Sequence, residues 1–180
     1  MSKFSAKDLT YVAMSVALIA VCSWISVPMT IPFTLQTFAV CLVTALLGLR
    51  LGLWSIAGYI LLGAVGVPVF SGFRGGPGAL LGPTGGYIIG FFFTALVVGL
   101  AVRRFSFRLP VLLISMVFGI LLCYAFGTAW FVLVYSRGTG PVSLATALSW
   151  CVFPYLLPDA VKLTLAALLA LRLRPVIFRS

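Results

Sequence analysis

The feature that most constrains this chain is a series of long apolar runs, interrupted by prolines, glycines and charged residues. A helix needs about 20 residues to cross a hydrocarbon core of about 30 Å, and most of the runs approach that length. Hydrophobic residues make up 63% of the sequence and charged residues 8%, which leaves too few polar groups to cover a water-facing surface. The chain is therefore predicted to be an all-α membrane protein.

Six spanning helices are predicted in one bundle. The spans lie near 9–27, 33–49, 51–66, 83–102, 110–133 and 157–172. The second and third are short and are joined by a tight connection at 48–52, so we expect them to be undersized or tilted. The sequence shows no repeat and no low-complexity linker. It therefore predicts a single six-helix domain over residues 1–180.

The positive charge of the chain predicts its orientation. Twelve Lys and Arg against two Asp give a net charge of +10, which would suggest a nucleic-acid partner only if the protein were soluble. In a membrane protein the same excess marks the cytoplasmic side. With the N-terminus in the cytoplasm, only Arg74 and Arg137 lie outside. The nine predicted cytoplasmic cations are Lys3, Lys7, Arg50, Arg103, Arg104, Arg108, Arg172, Arg174 and Arg179.

Both termini are thus predicted to be cytoplasmic. The basic start followed by the apolar run 9–27 could be a signal peptide, but the run has no convincing small-residue cleavage site. We interpret it as a retained first helix.

The residue types needed for acid–base or metal chemistry are scarce. The chain has no histidine and only two carboxylates, so the usual catalytic constellations cannot be assembled. Its four cysteines form no CxxC pair, which argues against a zinc or redox site. The cysteines are Cys22, Cys41, Cys123 and Cys151. We therefore predict neither an enzyme nor a cofactor.

A glycine-rich segment at 67–86 joins the third and fourth predicted helices on the outward side. It contains seven glycines and three prolines, so it cannot be helical throughout. It lacks the terminal Gly-Lys-Ser/Thr of a phosphate-binding P-loop, which argues against a nucleotide site. Two interpretations stay open: a flexible loop with tight turns, or a lid over a ligand with Phe70 and Phe73 as apolar cover.

A second outward segment, 134–156, contains the apolar stretch 144–155, which is broken by Pro154. Such a stretch is expected either to lie along the membrane interface or to enter the membrane as a re-entrant piece.

Two opposite charges stand inside the last apolar run. Pro158 suits the first turn of a helix, and Asp159 would there meet the positive end of the helix dipole. Lys162 has no such explanation, since an ammonium at the bilayer centre costs about 2.5–3.5 kcal/mol. At a spacing of three residues the two side chains share a helix face. They form either an ion pair that holds helices together or a clamp, in which the ammonium binds a carboxylate and the aspartate accepts ligand N–H groups.

Pairs of small residues at helical spacing permit close approach of helices. The pairs are Ala13 and Ala17, Gly48 and Gly52, Gly86 and Gly90, and Ala166 and Ala170. Internal packing is the ordinary role of such pairs. The surface of the first helix is the exception most able to serve a partner.

Four blocks of the sequence resemble the BioY family of biotin transporters. They are 31–37 (IPFTLQT), 66–70 (GVPVF), 82–87 (GPTGGY) and Pro158-Asp159-x-x-Lys162. Their order and spacing are similar to the family along roughly two thirds of the chain, while 103–156 contributes little.

The resemblance implies a six-helix substrate-binding subunit (S component) of an energy-coupling-factor (ECF) transporter, in the cytoplasmic (inner) membrane of a bacterium. It implies that Lys162 binds the valerate carboxylate of biotin and Asp159 the ureido N–H groups. It further implies that Phe33, Gln36, Phe70 and Tyr87 line or close the pocket. The roles of those four residues follow from the resemblance alone, whereas the two charges also have a physical explanation.

The resemblance also implies partners. An AxxxA surface formed by Ala13 and Ala17 would dock a transmembrane coupling subunit, and transport driven by ATP would require two ATPase subunits from other chains. The loop 71–82 has Arg74 but no asparagine or glutamine, so Arg74 either replaces a side-chain amide contact or faces water. Two alternatives remain: an S component for another vitamin, such as thiamin or riboflavin, and a structural membrane subunit with an internal ion pair.

Overall fold

A computed structural model describes residues 4–138 and 140–177, so Lys3 and Arg179 of the charge count lie outside the described residues. The elements in chain order are α1 (Ala6–Trp24), β1 (Ser26–Val27), β2 (Phe33–Thr34), α2 (Gln36–Ala64), α3 (Pro77–Leu81), α4 (Gly85–Arg104), α5 (Leu109–Gly138), α6 (Leu144–Cys151) and α7 (Phe153–Ile177). The predicted helical class is confirmed. The strands are a two-residue antiparallel pair in which Ser26 faces Thr34.

α2 is folded back on itself at Gly48, where φ is 74° and ψ is −173°. The side-chain Nε2 of Gln36 donates a hydrogen bond to the Tyr59 hydroxyl at 2.8 Å, and a Cβ added at Gly52 would lie 3.1 Å from Thr44. In a straight helix Gln36 and Tyr59 would be about 34 Å apart. The second and third predicted spans are therefore two antiparallel arms. The expected connection at 48–52 is reduced to a turn at Gly48, a conformation that glycine adopts without steric cost.

Helical segments overlie all six predicted spans: α1, the two arms of α2, α4, α5 and α7. Among the described residues, four helices are long and apolar enough to cross a membrane. They are α1, α2, α4 and α5. α7 is less apolar because it carries Asp159, Lys162, Arg172 and Arg174. Large apolar side chains lie exposed on the outer surface, as expected for a multi-pass membrane protein.

The first helix begins with a capping box. The Ser5 hydroxyl accepts the Asp8 amide N–H at 3.1 Å, and the Asp8 carboxylate accepts the Ser5 amide N–H at 3.0 Å. These two bonds satisfy amide groups that a helix end leaves without partners. Ile19 and Ala20, on one face of α1, are buried in the core where α1 packs against α2. The basic start thus leads directly into a packed helix of the bundle.

The first predicted span runs past the end of α1, to 27, and the second begins before α2, at 33. The difference arises because residues 26–27 and 33–34 form the strand pair. The last helix differs more: α7 begins at Phe153, and Pro158 lies inside it rather than opening it. Pro154 occupies the first turn instead, where a missing N–H costs nothing. The apolar stretch 144–155 forms α6 and the start of α7, separated at Val152. The break predicted at Pro154 is therefore two residues too late.

The small-residue pairs serve different roles. Gly86 and Gly90 pack against α5, where an added Cβ would lie 2.2 Å from Trp130 and 2.8 Å from Cys123. Ala166 and Ala170 are fully buried, whereas Ala13 and Ala17 are exposed. The latter two share an outer face of α1 with exposed apolar neighbours.

Candidate ligand-binding site

A cavity of about 340 Å³ lies where the start of α2, the loop 67–86 and the first half of α7 meet. α4, α5 and α6 complete its walls. Five of the six residues predicted to bind a ligand line it. They are Gln36, Phe70, Tyr87, Asp159 and Lys162. The sixth, Phe33, is not part of the lining but lies beneath Lys162, with 3.8 Å between the ammonium nitrogen and the ring centroid.

Asp159 and Lys162 form an ion pair at 2.7 Å between Oδ1 and Nζ. Both residues are almost fully buried, with 4% and 5% of their surface exposed. Charges buried in this way are retained only when other groups also bond to them. Asp159 and Lys162 each have such additional partners.

Lys162 has a further hydrogen-bond partner in the main chain. Its ammonium donates to the carbonyl oxygen of Thr34 at 2.6 Å and lies 3.4 Å from the Thr37 hydroxyl. The Phe33 ring adds a cation–π contact on another side. An ammonium has three N–H donors, so these contacts and Asp159 occupy all of them.

Asp159 accepts hydrogen bonds on both carboxylate oxygens. The Thr37 hydroxyl donates to Oδ1 at 3.2 Å, and the Tyr124 hydroxyl donates to Oδ2. The helix-dipole explanation for Asp159 was wrong, because α7 begins six residues earlier, at Phe153. Hydrogen bonds from α2 and α5 and the ion pair stabilise the carboxylate instead.

Tyr124 is the residue of this network that the sequence did not indicate. It lies in the middle of α5, in a run of apolar residues where a tyrosine has the pattern of an ordinary core residue. Thr34 and Thr37 belong to the block 31–37, but the carbonyl oxygen that Thr34 contributes is common to every residue type.

Two of the predicted residues are held in place by neighbours. Gln36 is fixed by Tyr59, whose own hydroxyl donates to the carbonyl oxygen of Val69 at 3.1 Å. The Tyr87 and Thr128 hydroxyls form a hydrogen bond at 2.9 Å between α4 and α5. Both side chains therefore present fixed positions to the cavity.

The loop 67–86 is folded rather than irregular. Phe70 and Arg74 form an antiparallel backbone pair with N–O distances of 3.0 and 3.3 Å, and φ is positive at Gly72 and Phe73 between them. Phe70 is 2% exposed and lines the cavity. Phe73 does not cover the cavity: it is 64% exposed and stacks on Trp24 at 5.1 Å.

The fold and the cavity together define a class: a helical membrane protein with a mainly apolar pocket and a few fixed polar groups, the form of a small-molecule site. A sequence profile of the BioY family matches residues 1–179. The chain belongs to the BioY family.

Known relatives agree with this assignment along most of the chain. The biotin transporter BioY of Thermotoga maritima is 44% identical over 160 residues, which cover 88% of this chain and 90% of that protein. A probable biotin transporter BioY of Pyrococcus horikoshii is 40% identical over 170 residues, covering 94% and 97%. The fold is similar to the crystal structure of the S component for biotin from an ECF-type ABC transporter. That comparison has a TM-score of 0.83 at 26% identity and covers 96% of this chain and 95% of the other.

Proposed function

We propose that this chain captures biotin for uptake across the cytoplasmic membrane, as the substrate-binding component of an ECF transporter. The observation that carries the proposal is the buried ion pair of Asp159 and Lys162 in the wall of a cavity, in a member of the BioY family. The relatives' names and the matched fold support biotin as the ligand.

Asp159 is the proposed partner of the ureido N–H groups. A carboxylate offers about four acceptor positions. Lys162, Thr37 and Tyr124 use three of them, which leaves one directed acceptor for the ligand. Because the Tyr124 hydroxyl and Lys162 fix both oxygens, the acceptor is oriented before the ligand enters. Such preorganisation reduces the entropy cost of binding.

Lys162 is the proposed partner of the valerate carboxylate. Its contact with the Thr37 hydroxyl is the longest of its three hydrogen bonds, at 3.4 Å, and is the one we expect a ligand oxygen to replace. The contact would be charge-assisted and shielded from water, which strengthens it. The same step leaves the bonds to Asp159 and Thr34 intact.

The proposed orientation opens the cavity to the outside. The N-terminal end of α2, the loop 67–86 and the start of α7 meet at one end of the bundle. The positive-inside rule assigns the opposite end, with Arg50, Arg103 and Arg104, to the cytoplasm. Both termini then lie on the cytoplasmic side.

Competition binding tests the substrate. Purified chain loaded with labelled biotin should release it to unlabelled biotin and should retain it in the presence of excess thiamin or riboflavin. Thiamin is cationic and meets a cavity lined by two cations, Lys162 and Arg74, and one carboxylate, Asp159, so the net positive charge of the lining disfavours it. Displacement by thiamin or riboflavin at concentrations similar to those of biotin would contradict the assignment.

We further propose that α1 docks a transmembrane coupling subunit, which two ATPase subunits energise. The exposed Ala13 and Ala17 permit close helix approach, and exposed Met14 and Leu18 extend the same outer surface. Replacing both alanines with leucine is expected to abolish co-purification of the coupling subunit. Biotin binding should be unchanged, because neither alanine lines the cavity. Recovery of the intact complex from this variant would contradict the docking surface.

A further inference from the structure

Five arginines lie at the end of the bundle opposite the cavity, and we refer to them as the arginine patch. They are Arg103, Arg104, Arg108, Arg172 and Arg174. α4 begins beside the cavity at Gly85 and ends at Arg104, roughly 29 Å further along its axis. Arg174 lies about 18 Å beyond Lys162 along α7. The cavity lining includes none of the five, so the proposed biotin site gives them no role.

A direct contact brings the ends of α4 and α7 together. The guanidinium carbon of Arg174 lies 4.0 Å from the centroid of the Phe107 ring. Phe107 belongs to the short connection between α4 and α5, directly before Arg108. A cation–π contact of this kind holds the guanidinium over the ring face. A cation of α7 is therefore fixed beside the connection that carries Arg104 and Arg108.

The chain has no carboxylate side chain to offer this group of cations. The sequence contains two acidic residues, Asp8 and Asp159. Asp159 is paired with Lys162 in the cavity, and the cations that act on Asp8 are Arg50 and Lys7. Within residues 4–138 and 140–177 the patch forms no ion pair. Grouped like charges repel one another, so an anion supplied from outside would relieve that repulsion.

An apolar stripe on α4 leads to the patch. Phe93, Leu96 and Leu100 are exposed at spacings of three and four residues, so they share one outer face of the helix. Arg103 and Arg104 follow Leu100 by three and four residues and continue that face. A phospholipid has the same order of parts, with an acyl chain to lie along the stripe and a phosphate to meet the arginines. A soluble anion would match the arginines alone.

We propose that the arginine patch binds the phosphate headgroup of an anionic phospholipid, whose acyl chain lies along the exposed stripe of α4. A guanidinium is suited to this ligand because its planar fork can donate two hydrogen bonds to one phosphate. Basic clusters at the cytoplasmic ends of membrane helices attract anionic headgroups, and the proposed orientation assigns this end to the cytoplasm. The site is separate from the biotin cavity and does not depend on its ligand.

Lipid retention by a double variant, Arg104→Gln with Arg108→Gln, tests this inference. Native mass spectrometry follows equilibration of the purified chain in mixed micelles with equal amounts of phosphatidylglycerol and phosphatidylcholine. Wild type should retain phosphatidylglycerol over phosphatidylcholine by about tenfold, as expected when several cations act on one headgroup. The variant should retain the two lipids in about equal amounts. Inorganic phosphate should not displace the bound lipid, because it lacks the contact with the stripe.

Folding of the variant is checked by its thermal unfolding curve in phosphatidylcholine alone. Arg104 ends α4 and Arg108 directly precedes α5, so the two helix dipoles act on these cations in opposite directions. Their joint removal should therefore leave the midpoint close to that of wild type.

Lys7→Gln with Arg137→Gln is the matched control, since it removes two exposed cations that lie outside the patch. It should keep the wild-type lipid preference. Equal retention of both lipids by wild type, an unchanged preference in the patch variant, an equal loss in the control, or displacement by inorganic phosphate would each overturn the proposal. A patch variant that keeps its lipid preference but loses the coupling subunit on purification would assign the patch to a protein partner instead. Biotin binding enters none of these measurements, so the proposed function stands or falls separately.

Discussion

Lys162→Ala is expected to lower biotin affinity by about 100-fold or more, because it removes a charge-assisted contact to the ligand and the partner that orients Asp159. Asp159 would keep only its bonds from Thr37 and Tyr124 and would lie buried as an uncompensated charge. Breaking a buried ion pair in this way costs about 3–5 kcal/mol of stability. Calorimetric titration and a thermal unfolding curve of the same detergent-solubilised sample measure the two effects.

A double variant separates binding from folding. Asp159→Asn combined with Lys162→Met removes both charges, so it should recover most of the lost stability. It should not recover biotin binding, since both ligand contacts are altered. If the pair only holds α7 against α2, the double variant will fold and bind biotin as wild type does, and the proposed clamp is then wrong.

Gly85→Ala is expected to have the second large effect, through the shape of the site. A Cβ at Gly85 would lie 1.6 Å from the carbonyl oxygen of Leu80, a backbone atom, so α3 would have to move away from α4. Residues 78, 79 and 82–84 of this region line the cavity. Overpacking of this kind costs about 3 kcal/mol, and we expect biotin affinity to fall about tenfold or more with it.

Gly138→Ala is the control for the added methyl group. No atom lies within 4 Å of a Cβ at Gly138, which is exposed at the end of α5. Thermal stability and biotin affinity should both stay at wild-type values there. If Gly85→Ala also left affinity and thermal stability unchanged, the loop would be more deformable than the packing of Gly85 against Leu80 implies.

The helices were predictable because apolar runs of spanning length have few alternatives in water or lipid. The ends of the helices were less predictable. The sharp reversal at Gly48 depends on a single positive φ, which the sequence 48–52 does not distinguish from a short loop. The start of α7 was placed too late because prolines usually interrupt helices, whereas Pro158 is accommodated inside this one.

The charged pair of the site was predictable, and its surroundings were not. Asp159 and Lys162 stand out because charges inside an apolar run require an explanation. Tyr124 reaches Asp159 across 35 positions of sequence, a contact that the packing of α5 on α7 creates. Likewise, the carbonyl oxygen of Thr34 binds Lys162 only because the strand pair ends where α7 passes.

The proposed function requires biotin to bind in this cavity at the buried pair of Asp159 and Lys162. Calorimetric titration of the purified chain with biotin, in the absence of any other subunit, measures this binding. We expect saturable binding of one biotin per chain and a strong loss of affinity in Lys162→Ala. A wild-type protein that is folded by its thermal unfolding curve and yet shows no saturable heat with biotin would contradict it.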